Sequence, residues 1–144
     1  MIEARRVLTR LRRRQGMQIE HVAFMVKDPI RTARWWERNM GMKIVRSSET
    51  PPFAHFMADS SGRMLFELHS PDGVAIPDYG AMDARALHVA FMADDLTTAC
   101  DRLIAAGASL ESDIETTAIG DQIVMLRDPW GLAIQLVHRS QQLL

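Results

Sequence analysis

The pentapeptide His-Val-Ala-Phe-Met is written twice in this chain, at residues 21–25 and again, 67 positions on, at residues 88–92. An internal period of this kind constrains the fold more than any composition does, because a repeated unit has to bury its apolar face against its own copy. The flanks repeat too. Asp28-Pro29 after the first copy and Asp95-Leu96 after the second each open a helix-like stretch, closing near Gly41 and Gly107. Each half then ends in a glycine and an apolar run, Gly62 to Leu68 and Gly131 to Leu136. One module has been duplicated.

Within the first module, Ile19–Val26 alternates so that His21, Ala23 and Met25 share one strand face. Asp28 is placed to N-cap a helix with Pro29 at its first position, and Gly41 suits its C-terminal stop. Ile30, Ala33, Trp36 (or Trp35) and Met40 form the helical stripe. Residues 42–46, 53–58 and 63–69 are strand candidates separated by turn material, so the unit reads β-α-β-β-β. The second module repeats it, with Leu96, Ala99 and Leu103 on the inner helix face, Cys100 and Ile104 beside them, and strands over 109–111, 123–127 and 132–138. The predicted fold is α+β. Two tandem βαβββ modules make a curved eight-stranded mixed sheet, a half-barrel with the helices outside. Module one covers 17–70, a Pro- and Gly-bearing linker 71–86, and module two 87–140, together one domain.

Residues 1–16 stand apart. Six arginines face one glutamate there, so a near-neutral chain of net charge −1 hides an acidic body. Ile2, Val7, Leu8 and Leu11 give the arm a short helical stripe, which reads more simply as packing than as membrane binding. An acidic body argues against nucleic-acid binding. No apolar run reaches the ~20 residues needed to span a bilayer. The single cysteine excludes an internal disulfide and a cysteine-rich zinc site. A soluble cytoplasmic protein is the expectation.

Function is carried by the polar residues that interrupt apolar strands. His21 and His88 hold the same place in the two copies, while Glu67 and Gln135 interrupt the two terminal strands 46 and 47 residues later. A charged side chain on a largely apolar strand is costly unless paired or metal-bound. Under pseudo-twofold symmetry all four converge, and two imidazoles, a carboxylate and an amide oxygen suit a divalent transition metal. The bland alternative is two satisfied core histidines and a metal-free pocket. His69 shares the Glu67 face, where it reads as an outer hydrogen-bonding group, and His55 and His138 read as surface or rim residues.

The duplicated His-Val-Ala-Phe-Met, Phe66-Glu67-Leu68, and the run Asp128-Pro129-Trp130-Gly131 through Gln135-Leu136 resemble the vicinal oxygen chelate superfamily. That superfamily includes glyoxalase I, methylmalonyl-CoA epimerase, extradiol dioxygenases and the bleomycin resistance proteins. The likeness covers about residues 18–139. It implies His21, Glu67, His88 and Gln135 as ligands of nickel, zinc, manganese or iron, a small oxygenated substrate that chelates the metal, and a homodimer. Exposed sheet edges that need covering point to a dimer as well.

Two departures narrow that implication. Most metal-dependent members carry glutamate where this chain has Gln135, and an amide oxygen cannot take up a proton at neutral pH. Glu67 then stands as the only carboxylate of the set and the candidate base. Glyoxalase I enzymes tend to carry a glutathione-contacting arginine where this chain has Met25. The resemblance thus implies a glyoxalase-like metal-dependent lyase, isomerase or epimerase. A metal-free sequestering protein of the bleomycin-resistance type, or an extradiol-type dioxygenase, is the alternative.

Overall fold

The computed structural model describes residues 16–63 and 65–144. The arginine-rich arm over 1–16 lies, but for Gly16, outside the described residues. The element order is β1 (Val22–Met25), α1 (Pro29–Met40), β2 (Lys43–Ser47), β3 (His55–Ala58), β4 (Leu65–His69), then β5 (Val89–Met92), α2 (Leu96–Ala105), β6 (Ser109–Leu110), β7 (Glu115–Thr116), β8 (Gln122–Arg127) and β9 (Ala133–His138). The α+β fold expected from the duplication is present.

Both helices begin as their sequences require. The Asp28 carboxylate accepts from the Arg31 amide at 3.0 Å, Pro29 follows it, and Gly41 ends α1 with φ 67°. Asp95 accepts from the Thr98 amide at 2.9 Å and from its hydroxyl at 2.7 Å. Trp35 and Trp36 are both buried, as are Thr32 and Ala33 beside them. On α2 the inward residues are Leu96, Cys100 and Leu103, whereas Ile104 is exposed. Ile104 sits one position round from the Leu103 stripe, and the helix has no second sheet to cover it.

The two modules use one topology. In the first sheet the order is β1-β4-β3-β2, with β1 parallel to β4; in the second it is β5-β9-β8-β6, with β5 parallel to β9 and β7 also paired to β8. Within one chain the strands therefore divide between two open sheets, with β1 and β5 each an edge of its own sheet. The short β7 was not legible in the sequence because two residues carry no period.

The modules share one core. Trp36 meets Phe66 on the back of β4 at 6.3 Å and Phe91 on β5 at 5.8 Å between ring centroids. Trp35 donates to the Ala106 carbonyl at 2.8 Å and meets Trp130 edge-on. Between the modules, a short 3-10 turn over Tyr79–Ala81 buries Tyr79, whose hydroxyl donates to the Met25 carbonyl at 2.8 Å. Arg127 fastens the same segment, donating to the carbonyls of Tyr79 and Met82 and pairing with Glu111.

Candidate metal centre

Strand alternation decides which side chains leave the core. Phe66 and Leu68 of β4 are buried, so Glu67 and His69 between and after them face the other way. Glu67 pairs in register with Ala23 of β1 and with Phe56 of β3, so these residues share its face. His21, two positions before Ala23, joins them. Its Nε2 lies 3.3 Å from Glu67 Oε2. The other carboxylate oxygen is 3.7 Å from Nδ1 of His69. His69 thus lies beside Glu67 at ion-pair rather than hydrogen-bond distance.

The rings of the repeated histidines are held alike. His21 Nδ1 bonds the neighbouring Glu20 carboxylate, and His88 Nδ1 lies 2.9 Å from the Ala84 carbonyl. A carbonyl only accepts, so His88 Nδ1 carries the proton and Nε2 is left with a lone pair when the ring is neutral. The Glu20 hydrogen bond raises the His21 pKa; partial desolvation opposes it, and the charges of Glu20 and Glu67 add to it. At His88 the outer nitrogen is engaged and Nε2 remains for another partner, the usual arrangement of a metal-ligating histidine; at His21 Nε2 already faces Glu67 Oε2.

The His21–Glu67 pair has the spacing of two ligands of a divalent transition metal. Two ligand atoms each about 2.0–2.1 Å from a metal are roughly 3.0–3.4 Å apart, and His21 Nε2 and Glu67 Oε2 meet that separation. In module two, Gln135 pairs in register with Ala90 of β5 and Met125 of β8, which places it on the face that alternation gives His88. Gln135 is half-buried between the buried Ile134 and Leu136. The structure thus brings His21 together with Glu67, and sets His88 and Gln135 on one face of the second sheet. It does not join the two pairs: among the described residues no group of three His, Cys, Asp or Glu side chains is placed to hold a metal. Between the modules a groove of about 920 Å³ runs beside β1 and β5, with Val22, Phe24 and Phe66 on one side and His88 to Met92 on the other.

One histidine departs from its expected place. His55 is buried, with Nδ1 2.8 Å from the Phe53 carbonyl, because β3 pairs it opposite Leu68 on the core face. His138 is exposed, as expected. Two residues on the Glu67 face carried no sequence signal. The Phe56 ring meets His21 edge-on at 5.6 Å, and the Arg46 guanidinium carbon lies 5.9 Å from the Phe56 centroid. A β-bulge puts Arg46 there, and bulges have no pattern in a single sequence.

Asp128, which opens the terminal signature, and Arg127 just before it serve the scaffold. Asp128 is buried and accepts from Trp36 Nε1 and from the amides of Trp130 and Leu132. No helix among the described residues is long and apolar enough to cross a membrane.

Comparison with known proteins agrees with this fold. Over 130 residues the chain is 25% identical to the lactoylglutathione lyase of Haemophilus influenzae, covering 86% of this chain and 94% of that one. It is 26% identical to the lactoylglutathione lyase of Salmonella typhimurium over 128 residues, 85% of this chain and 93% of the relative. Among solved structures, a glyoxalase family protein from Bacillus cereus superposes with TM-score 0.73 at 16% identity, over 88% of this chain and 97% of that one. Maize glyoxalase I gives TM-score 0.68 at 22% identity, covering 87% of this chain but 46% of the maize chain. The family model for the Glyoxalase/Bleomycin resistance protein/Dioxygenase superfamily matches residues 18–136, and the chain belongs to that superfamily.

Proposed function

We propose that this protein is a glyoxalase-like, metal-dependent lyase or isomerase acting on a small oxygenated substrate. The observation that carries the reading is the His21 Nε2 to Glu67 Oε2 separation of 3.3 Å on the first sheet, with His88 Nε2 left available on the second. His21, Glu67, His88 and Gln135 would hold the metal, nickel, zinc, manganese or iron. When bound, it supplies Lewis-acid polarisation of two adjacent substrate oxygens. Glu67 is the base, taking a proton from the carbon next to the substrate carbonyl and returning it to the neighbouring carbon. His69, 3.7 Å from the second Glu67 oxygen, orients that carboxylate. Gln135 adds an oxygen donor without charge, so the proton moves at Glu67.

The working unit of this cytoplasmic enzyme is a homodimer, in which one copy supplies His21 and Glu67 and the other His88 and Gln135. Support comes from the edges of β1 and β5, where Val22, Leu87 and Met92 are exposed, and from the two pairs not forming one cluster among the described residues of a chain.

Metal content tests both parts. Wild type is expected to bind about one metal per chain, and His21→Ala, Glu67→Ala and His88→Ala to lose it. Co-refolding His21→Ala with His88→Ala chains restores about a quarter of the wild-type content if sites are shared between copies, and none if each lies within one chain. No metal in wild type after reconstitution would overturn the metal reading and favour a sequestering protein that uses the same face as a passive pocket.

A further inference from the structure

The strand β2 breaks its ladder at one place. Lys43 opposes Ala58 and Ile44 opposes Met57, but Phe56 is opposed by Arg46, with Val45 as the extra residue. In an unbroken ladder Val45 would oppose Phe56 and Arg46 would turn to the other face. The bulge therefore delivers a guanidinium to the His21–Glu67 face. From β2 inward that face reads Arg46, then Phe56, then Glu67 with His21 beside it. The centres of β2 and β4 are two strand spacings apart, roughly 10 Å.

Arg46 reaches over the Phe56 ring there. Among the described residues no carboxylate lies within ion-pair distance of it, and its contact is the face of the Phe56 ring. A guanidinium on an aromatic ring keeps its fork of N–H donors free for an oxyanion. Phe56 lies between that fork and the His21 ring, and offers an apolar surface on which a few carbons can rest.

We infer that Arg46 determines specificity by binding an oxyanionic group at the far end of the substrate, two strands across the face from its chelating end. The substrate class is a bifunctional acid: adjacent oxygens at one end, a short carbon chain over Phe56, and a second anion at Arg46. This rests on the reading of His21 and Glu67 as metal ligands.

The probes are 2-oxoadipate and 2-oxohexanoate, which share a chelating head and chain length and differ in the terminal carboxylate. Each is titrated calorimetrically into nickel-loaded and metal-free protein. Wild type is expected to bind 2-oxoadipate about tenfold more tightly, with the ratio shrinking as salt is raised. Arg46→Met brings the ratio to about one without changing 2-oxohexanoate affinity, and Arg46→Lys keeps part of it. A ratio near one in wild type, no binding of either probe, or a ratio unaltered in Arg46→Met would overturn the inference. Metal content on the same samples separates the two readings. A preserved ratio without metal keeps Arg46 and removes the metal enzyme; bound metal with a ratio near one does the reverse.

Discussion

The indole of Trp36 donates to the buried carboxylate of Asp128 at 3.0 Å, joining α1 of the first module to the turn before the last strand of the second across 92 residues of sequence. The other carboxylate oxygen receives the amides of Trp130 at 3.0 Å and Leu132 at 2.9 Å. Burial pushes the Asp128 carboxyl above its ordinary range, and these hydrogen bonds pull against that shift. The acidic residue of the terminal signature thus ties the modules together.

Asp128→Asn tests that role. The amide keeps one oxygen for the backbone donors but turns N–H groups toward the Trp36 indole, which can only donate. A loss of about 1–3 kcal/mol is expected from the mismatched buried donors, read as a lower denaturant midpoint with unchanged slope. A variant as stable as wild type would show that the bond contributes nothing.

Gly131 is fixed by its neighbour. It has φ 95°, and an added Cβ would sit 2.9 Å from the Gly80 amide nitrogen and 3.1 Å from its Cα. Gly131→Ala meets backbone on one side and unfavourable φ on the other, at a cost of roughly 2–3 kcal/mol. Gly62→Ala, with φ 69° but open space around it, is the control and should lose less. Thermal midpoints of the two variants decide the order.

Acid sensitivity has an identifiable contributor. Asp121 pairs with Arg139 at 2.6 Å and accepts the Ser140 amide at 2.8 Å, fastening the chain after β9. The Arg139 hydrogen bond, then the Ser140 amide, hold its carboxyl below the usual range. A depressed folded-state pKa gives stability that is present above the unfolded value and lost as pH falls through the folded one. Asp121→Asn is therefore expected to be less stable than wild type at neutral pH and to converge with it in acid. Parallel urea-midpoint curves across the acid range would reject this.

Gln135→Glu probes the proposed centre from its weakest ligand. Replacing the amide by a carboxylate adds a charged oxygen donor and is expected to raise zinc or manganese affinity by about tenfold or more, measured by competition with a chelating dye. Unchanged affinity would place Gln135 outside the centre.

Much of this was legible because it is local or periodic. The duplicated strands, the Asp28 and Asp95 caps, the Gly41 stop and the Glu67 interruption all follow from spacing and residue type. What escaped depends on pairing. His55 reads as a rim histidine until its partner is known to be Leu68, and Arg46 carries no signal until the bulge turns it onto Phe56. Asp128 reads as part of a signature until Trp36 is seen to reach it.

The sequence by itself determined the module, its duplication, and the four polar residues that stand in or just before its strands, because alternation and capping act over a few residues. Tertiary structure alone decided which of them meet. Register brings His21 against Glu67 and keeps that pair from closing into one cluster with His88 and Gln135, since β1 and β5 remain unpaired edges. Strand register is a long-range choice, settled by which faces the assembled core buries and by the turns between strands, and a one-dimensional pattern does not encode it.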